Sequence, residues 1–310
     1  MARPKKKIQA KKKAKKPSRF FSIKRVVIFF LLTVMLVVSV FAAGYVIFFR
    51  TVFAQEISQG SNNGIVFEEP DPPPHKEQIS EPAERERTRG EDLPRVAIII
   101  DDLGYHERVG YELLNFPLEL TYSFLPFAPF TGKQESAAFY AGKTVLLHLP
   151  LEPKDPHWDP GPGTLFLVDS PQLQKEKFEQ DLAAVPHAVG VNNHMGSLYT
   201  ENSVVMGRLL ELIGDSSLFF VDSFTTAASV GQRVAREAGV KTARRHVFLD
   251  NEMDQVKICE QLKILVELAE KQGQAIGIGH PHQITADALH RCTEQYSMRV
   301  QYVSIAKLLW

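Results

Sequence analysis

The chain has 310 residues, 36 basic and 36 acidic side chains and a hydrophobic fraction of 44%, a composition that excludes a wholly disordered or low-complexity polymer. Its zero net charge hides an asymmetry: residues 1–25 hold twelve Lys or Arg, and the first acidic residue is Glu56, so neutrality says nothing about partners. Two cysteines, Cys259 and Cys292, exclude a disulfide framework or a zinc knuckle, and leave open whether they pair or stay as buried thiols.

After the basic tail, residues 26–49 run for twenty-four positions without a charge. At about 1.5 Å per residue, a helix of that length crosses a hydrocarbon core of ~30 Å. The basic flank predicts a single-pass inner-membrane anchor with a cytoplasmic N-terminus and everything after Arg50 outside, although Val52-Phe53-Ala54 offers a cleavage site. Lysines placed directly before a membrane span serve topology and anionic lipid, so no nucleic-acid partner is expected. Residues 50–94, rich in Pro, Glu and Arg, bury too little apolar surface to offset chain entropy and read as a disordered linker.

From residue 95 the pattern alternates. Apolar runs at 96–100, 119–125, 144–149, 189–192, 218–221, 245–249, 275–279 and 300–303 predict strands. Helical spacing lies between them, clearest from Pro171 to Val185 with Ser170 as N-cap, and from Glu252 to Gln272 with Asn251 as cap and Gly273 as stop. In the second helix Val256, Cys259, Leu262, Leu265 and Leu268 or Ala269 form the expected apolar stripe. Strands alternating with helices imply parallel pairing, in a doubly wound sheet or a closed barrel; seven or eight repeats in residues 95–310 favour the barrel.

Nearly every apolar run ends in a polar residue. The first stops on Asp101-Asp102, the third on His148 with Glu152 beyond it, the fourth on Asn192-Asn193-His194, and the later ones on Asp222, Asp250 and His280. In a parallel barrel these ends share one face, where Asp and His together suit a divalent cation such as zinc. Each also has a structural reading: His148 as a core histidine, Asn192-Asn193 as turn chemistry, Asp222 and Asp250 as helix caps, and His246 as packed. There is no Gly-x-Ser-x-Gly, no His-Glu-x-x-His and no phosphate loop.

The ordered series Asp101-Asp102-Leu-Gly104, His148-Leu-Pro-Leu-Glu152-Pro, Asn192-Asn-His194-Met-Gly-Ser197, Val221-Asp-Ser223 and Gly279-His280-Pro resembles the motifs of the divergent polysaccharide deacetylases. The resemblance covers residues 95–310 and implies a distorted (β/α)7-type barrel. It implies Asp101 as general base, His280 as general acid, and Asp102, His148 and His194 as ligands of a divalent metal, with zinc expected. It also implies hydrolysis of N-acetyl groups on an envelope amino-sugar glycan. Asn193, Asp222 and Trp158, the last in the loop after the third strand, are candidates for contacting the sugar.

The His-x-x-x-His spacing of the parent carbohydrate esterase superfamily is absent: four residues after His148 stands Glu152, and four after His194 stands Leu198. Three outcomes are open: the two histidines meet from different strands, Glu152 coordinates, or the metal is lost. In the last case the chain would be a catalytically inactive, membrane-anchored glycan-binding module. A glycosidase working through Asp102 with Asp222 or Glu152 is a further competitor, which chelation would separate from a metal-dependent deacetylase.

Overall fold

The structure, a computed structural model, describes residues 93–310 and positions 28, 30–32 and 34–36. Those N-terminal positions are helical with exposed side chains. Among the described residues no helix is long and apolar enough to cross a membrane. The basic tail, most of the 26–49 segment and all but the end of the linker lie outside the described residues.

Among the described residues nine strands form one sheet: β1 (Arg95–Leu103), β2 (Thr121–Phe124), β3 (Thr144–Leu151), β4 (Gly190–Met195), β5 (Phe219–Asp222), β6 (Thr242–Arg244), β7 (Val247–Phe248), β8 (Gln274–Gly279) and β9 (Gln301–Tyr302). Their order is β6-β5-β4-β3-β2-β1-β8-β7, and every pairing is parallel. Between them run α1 (Glu107–Leu114), α2 (Thr131–Tyr140), α3 (Pro171–Ala184), α4 (Ser203–Asp215), α5 (Gly231–Glu237), α6 (Gln255–Gln272) and α7 (Gln283–Cys292). The strand expected over 300–303 is the short β9, which pairs with Arg95 and Val96 of β1, below the point where β2 joins at Ile99.

The strand expected over 245–249 is shortened to β7, with β6 ending before it at Arg244, and the break between the two completes the wall. β6 pairs with β5, and β7 pairs with β8. Between them Arg245 N donates to Asp222 O at 3.0 Å, and His246 N donates to Ile276 O at 2.9 Å. One kinked segment therefore passes from one sheet edge to the other. With it, β1 to β5 and β8 make a parallel α/β barrel that is distorted at the kink.

Side chains alternate across this wall. Ala97, Ile99, Leu146, Val221, Ile276 and Ile278 fill the barrel interior. Val96, Ile98, Ile100, Leu147, Val191 and Phe220 face outward, under helix residues such as Phe178, Leu210 and Leu265. Truncating one of these fully buried residues, Leu265→Ala for instance, costs roughly 2–5 kcal/mol in transfer and cavity terms.

Three helix ends explain themselves. Ser170 Oγ accepts from Leu173 N at 3.2 Å, with Pro171 opening α3. The cap of α6 is Asp254, not Asn251: its Oδ1 accepts from Val256 N and Lys257 N at 2.9 and 3.0 Å. The later start leaves Val256 exposed in the first turn, and the buried stripe becomes Ile258, Leu262, Leu265, Val266 and Ala269. Gly273 ends the helix at φ 88°. Cys259 and Cys292 form a disulfide that ties α6 to α7. His246, expected to pack, has an exposed side chain whose Nδ1 accepts from Ile276 N at 3.1 Å.

Candidate metal centre and active site

The strand period selects which polar residues enter the barrel mouth. Asp101 continues the inward series of Ala97 and Ile99; His148 continues that of Leu146, Ser223 that of Val221, and His280 that of Ile278. His148 lies in register with Asn192, and His194 is one more inward position along β4. Asp102 should face outward by this rule. The register of β1 shifts between Ile100 and Leu103, and Asp102 sits at φ 53°, a left-handed conformation that Asp tolerates better than most residues. This bulge turns a second consecutive carboxylate into the mouth.

Asp102 Oδ1 then lies 3.0 Å from His148 Nε2 and 2.8 Å from His194 Nδ1, and the two ring nitrogens are 3.2 Å apart. These three side chains are the group among the described residues whose atoms could jointly hold a metal ion. Two imidazole nitrogens and a carboxylate oxygen are the donor set that suits zinc, with room for a further ligand. The histidines meet from the neighbouring strands β3 and β4, not from the two ends of one His-x-x-x-His motif. Glu152 stays outside the group, its Oε2 accepting from Leu167 N at 2.6 Å.

Asn192 organises the layer beneath. Its Nδ2 donates to both oxygens of Asp101 at 2.8 and 2.9 Å, and to Ser223 Oγ at 3.2 Å. Its Oδ1 accepts from Ser123 Oγ at 2.5 Å and from His148 Nδ1 at 2.9 Å. The proton on His148 is therefore held at Nδ1, and Nε2 keeps its lone pair toward Asp102 and a cation.

Burial sets these groups apart electrostatically. It raises the Asp101 carboxyl above its ordinary range, outweighing His148, His280 and the Asn192 hydrogen bond. Asp102 is equally buried, but the adjacent His194 and His148 hold it well below the usual carboxylate range. Burial disfavours the His280 cation, yet the carboxylate of Asp250 prevails and lifts it to about 9. Asp250 Oδ1 lies 2.9 Å from His280 Nδ1, while its Oδ2 accepts from His280 N at 2.6 Å and Thr285 Oγ1 at 2.8 Å.

The remaining sequence candidates lie elsewhere. Asp222 is on the outward parity and accepts from Ser229 Oγ, Phe224 N and Gln232 N at 2.7, 2.9 and 3.2 Å, shaping the loop into α5. Asn193 also turns away from the metal group, donating to Met195 O at 2.7 Å and accepting from Ser223 N at 2.9 Å. Trp158 is half-buried in the loop after β3. Asn192, read as possible turn chemistry, is instead a strand residue at the centre of the network. Neither it nor Ser123 and Ser223 stand out by motif or composition, and counting alternate residues along the strands finds Asn192 and Ser223 only once the closed barrel has set which face points inward.

Comparison with known proteins places this geometry. A profile of the divergent polysaccharide deacetylases matches residues 98–309. An uncharacterized protein of Haemophilus influenzae is 32% identical over 214 residues, covering 69% of this chain and 76% of that one. The uncharacterized protein YibQ of Escherichia coli is 32% identical over 221 residues, covering 69% and 67%. The crystal structure of the uncharacterized protein ATU2773 from Agrobacterium tumefaciens superposes with a TM-score of 0.67 at 25% identity, covering 72% of this chain and 92% of that one. A match across most of the chain, on the barrel that carries the Asp102-His148-His194 group, means that this chain belongs to the divergent polysaccharide deacetylase family.

Proposed function

We propose that the protein removes N-acetyl groups from an amino-sugar glycan of the cell envelope in a metal-dependent hydrolysis. The observation that carries this is the convergence of Asp102, His148 and His194 on one another, flanked by the buried base and acid candidates Asp101 and His280. The fit to a cation is a property of these atoms: Asp102 Oδ1 is buried, faces two ring nitrogens and, among the described residues, accepts no hydrogen bond. A divalent ion bound there supplies Lewis acidity toward the acetamide carbonyl and its attacking water.

The chain's own residues do the rest. Asp101, aligned by the two Asn192 N–H bonds, accepts the proton of the attacking water. His280 enters the reaction protonated, because Asp250 holds its cation, and delivers that proton to the departing amine. Asn192 keeps both the base and one ligand in place through a single carboxamide. Stacking of the sugar on Trp158 belongs to the same proposal.

The proposed setting is a single inner-membrane anchor over residues 26–49, with the enzymatic domain outside the cytoplasm. The charge-free segment and its basic flank support it, as does the Cys259–Cys292 disulfide, since such bonds persist mainly in oxidising compartments. Reporter fusions after residue 94 that are active only in the cytoplasm would refute this topology.

The deciding experiment is elemental analysis of the purified full chain beside Asp102→Ala and His148→Ala, with acetate release from N-acetylglucosamine oligomers before and after chelation. About one equivalent of a divalent ion, lost in both variants, and acetate release that stops with the chelator are expected. Metal-free protein after reconstitution, or turnover that ignores the chelator, would overturn the reading. Saturable glycan binding without acetate release would move it to the binding module.

A further inference from the structure

Gly104 sets the course of the chain beyond the paired carboxylates. It sits at φ 112°, and a Cβ there would lie 2.2 Å from Thr131 Oγ1 and 2.8 Å from Ala128 Cβ, so the chain is pressed against the start of α2. Phe130 N donates to Gly104 O at 2.8 Å, which pins the turn further. The next residue, Tyr105, lies three positions past the ligand candidate Asp102, near enough for that carboxylate's charge to act on its hydroxyl, and remains 46% exposed.

Its hydroxyl reaches the loop after β3. A Cβ built on Gly161 would stand 3.7 Å from Tyr105 Oη. Asp159, whose Oδ1 accepts from Gly161 N at 2.9 Å, belongs to the same turn as Trp158 and is itself exposed. Among the described residues the Tyr105 hydroxyl has no hydrogen-bond partner. Burial, together with Asp102 and Asp159, raises its pKa, so it stays a donor under working conditions.

An exposed ring beside a carboxylate, with an unused O–H, matches the two faces of a pyranose: apolar C–H groups lie on the ring, and hydroxyls meet the polar groups. We infer that Tyr105 and Asp159 form a sugar-binding subsite at the mouth, which holds a pyranose unit of an amino-sugar glycan beside the Asp102-His148-His194 group. The inference rests on the deacetylase reading and adds to it the residues that position the glycan.

The test measures binding apart from turnover. The full chain in detergent carrying Asp101→Asn is titrated calorimetrically with the N-acetylglucosamine tetramer, and Tyr105→Ala, Tyr105→Phe and Asp159→Asn are added singly. Tyr105→Ala should weaken binding at least tenfold, and Tyr105→Phe and Asp159→Asn several-fold, with zinc content and melting temperature unchanged. In the active background the same substitutions should raise KM more than they lower kcat. Tetramer binding within twofold of the parent in both Tyr105→Ala and Asp159→Asn overturns the subsite while leaving the deacetylase reading intact. Failure of the Asp101→Asn parent to bind the tetramer, with no acetate release by wild type, overturns both.

Discussion

Replacing Asn192 with Ala tests whether one carboxamide supports both the base and a metal ligand. The change removes the Nδ2 amide that donates to both oxygens of the buried Asp101 carboxylate, at 2.8 and 2.9 Å, and leaves His148 Nδ1 and Ser123 Oγ without their acceptor. Three buried groups left short, at roughly 1–3 kcal/mol each, put the destabilisation at about 3–9 kcal/mol, with the lower end holding where water enters the space. Loss of the acceptor also frees the His148 ring and its proton. Disturbing such a supporting partner typically lowers metal affinity by about 10–100-fold. Urea unfolding of the metal-free chain measures the first effect, and zinc titration against a chromophoric chelator measures the second. Asn192→Asp keeps the acceptor for His148 but sets a carboxylate against Asp101, so it should retain more metal affinity than Asn192→Ala and still lose turnover. An Asn192→Ala protein with zinc affinity within twofold of wild type and stability within ~0.5 kcal/mol would refute the reasoning.

Activity should follow a bell in pH. It should rise as Asp101 ionises, at a pH raised above the ordinary carboxylate range, and fall as His280 loses its proton near 9, both limbs moving down when a cation is bound. His280→Asn should abolish the alkaline limb along with most of kcat, and a pH–rate profile checks both. Away from the site, Asp181 is fully buried on α3, with no hydrogen-bond partner for either oxygen among the described residues, and burial lifts its carboxyl to about 8 against the weaker pull of Lys177. The unfolded chain releases this proton near pH ~4. The folded protein keeps it to about 8, so this group's stability is complete below the unfolded value and declines up to the folded one. Within that window the slope is ~1.4 kcal/mol per pH unit. Asp181→Asn should flatten the decline, and parallel unfolding curves at pH 5 and 8 that still diverge equally in both proteins would exclude the assignment. Cys259 and Cys292 are 33 positions apart, so Cys259→Ser should cost about 3–4 kcal/mol in the loop-entropy model, read by urea unfolding.

Much of this was legible along the chain. Val96 to Ile100 form an apolar run with no polar alternation, and such a run predicts a doubly buried strand whoever its neighbours are, so Asp101 and Asp102 had to stand at its open end. Ser170 before Pro171 marked a helix start by local chemistry alone. Three features were not local. Whether Asp102 could join Asp101 on the inner side depended on a bulge that exists only because β2 pairs in shifted register. Whether His148 could share a cation with His194 depended on β3 lying beside β4, which puts His148 level with Asn192. The kink that passes from β5 to β8 is likewise a property of the closing wall, not of Arg245 and His246 themselves.

The choice between neighbours shows the division most sharply. Motif order favours Asn193 and Asp222 as substrate contacts, whereas the two-residue period carries Asn192 and Ser223 inward and those two outward. That period was present in the sequence, but its phase was not, because phase is set by which face of each strand the barrel closes upon. Composition and motif order therefore determined the family, the strand ends and the residue types available for chemistry. Register, bulge and closure decided which of them meet, since side chains remote in sequence acquire a distance only when the backbone hydrogen bonds between their strands are made.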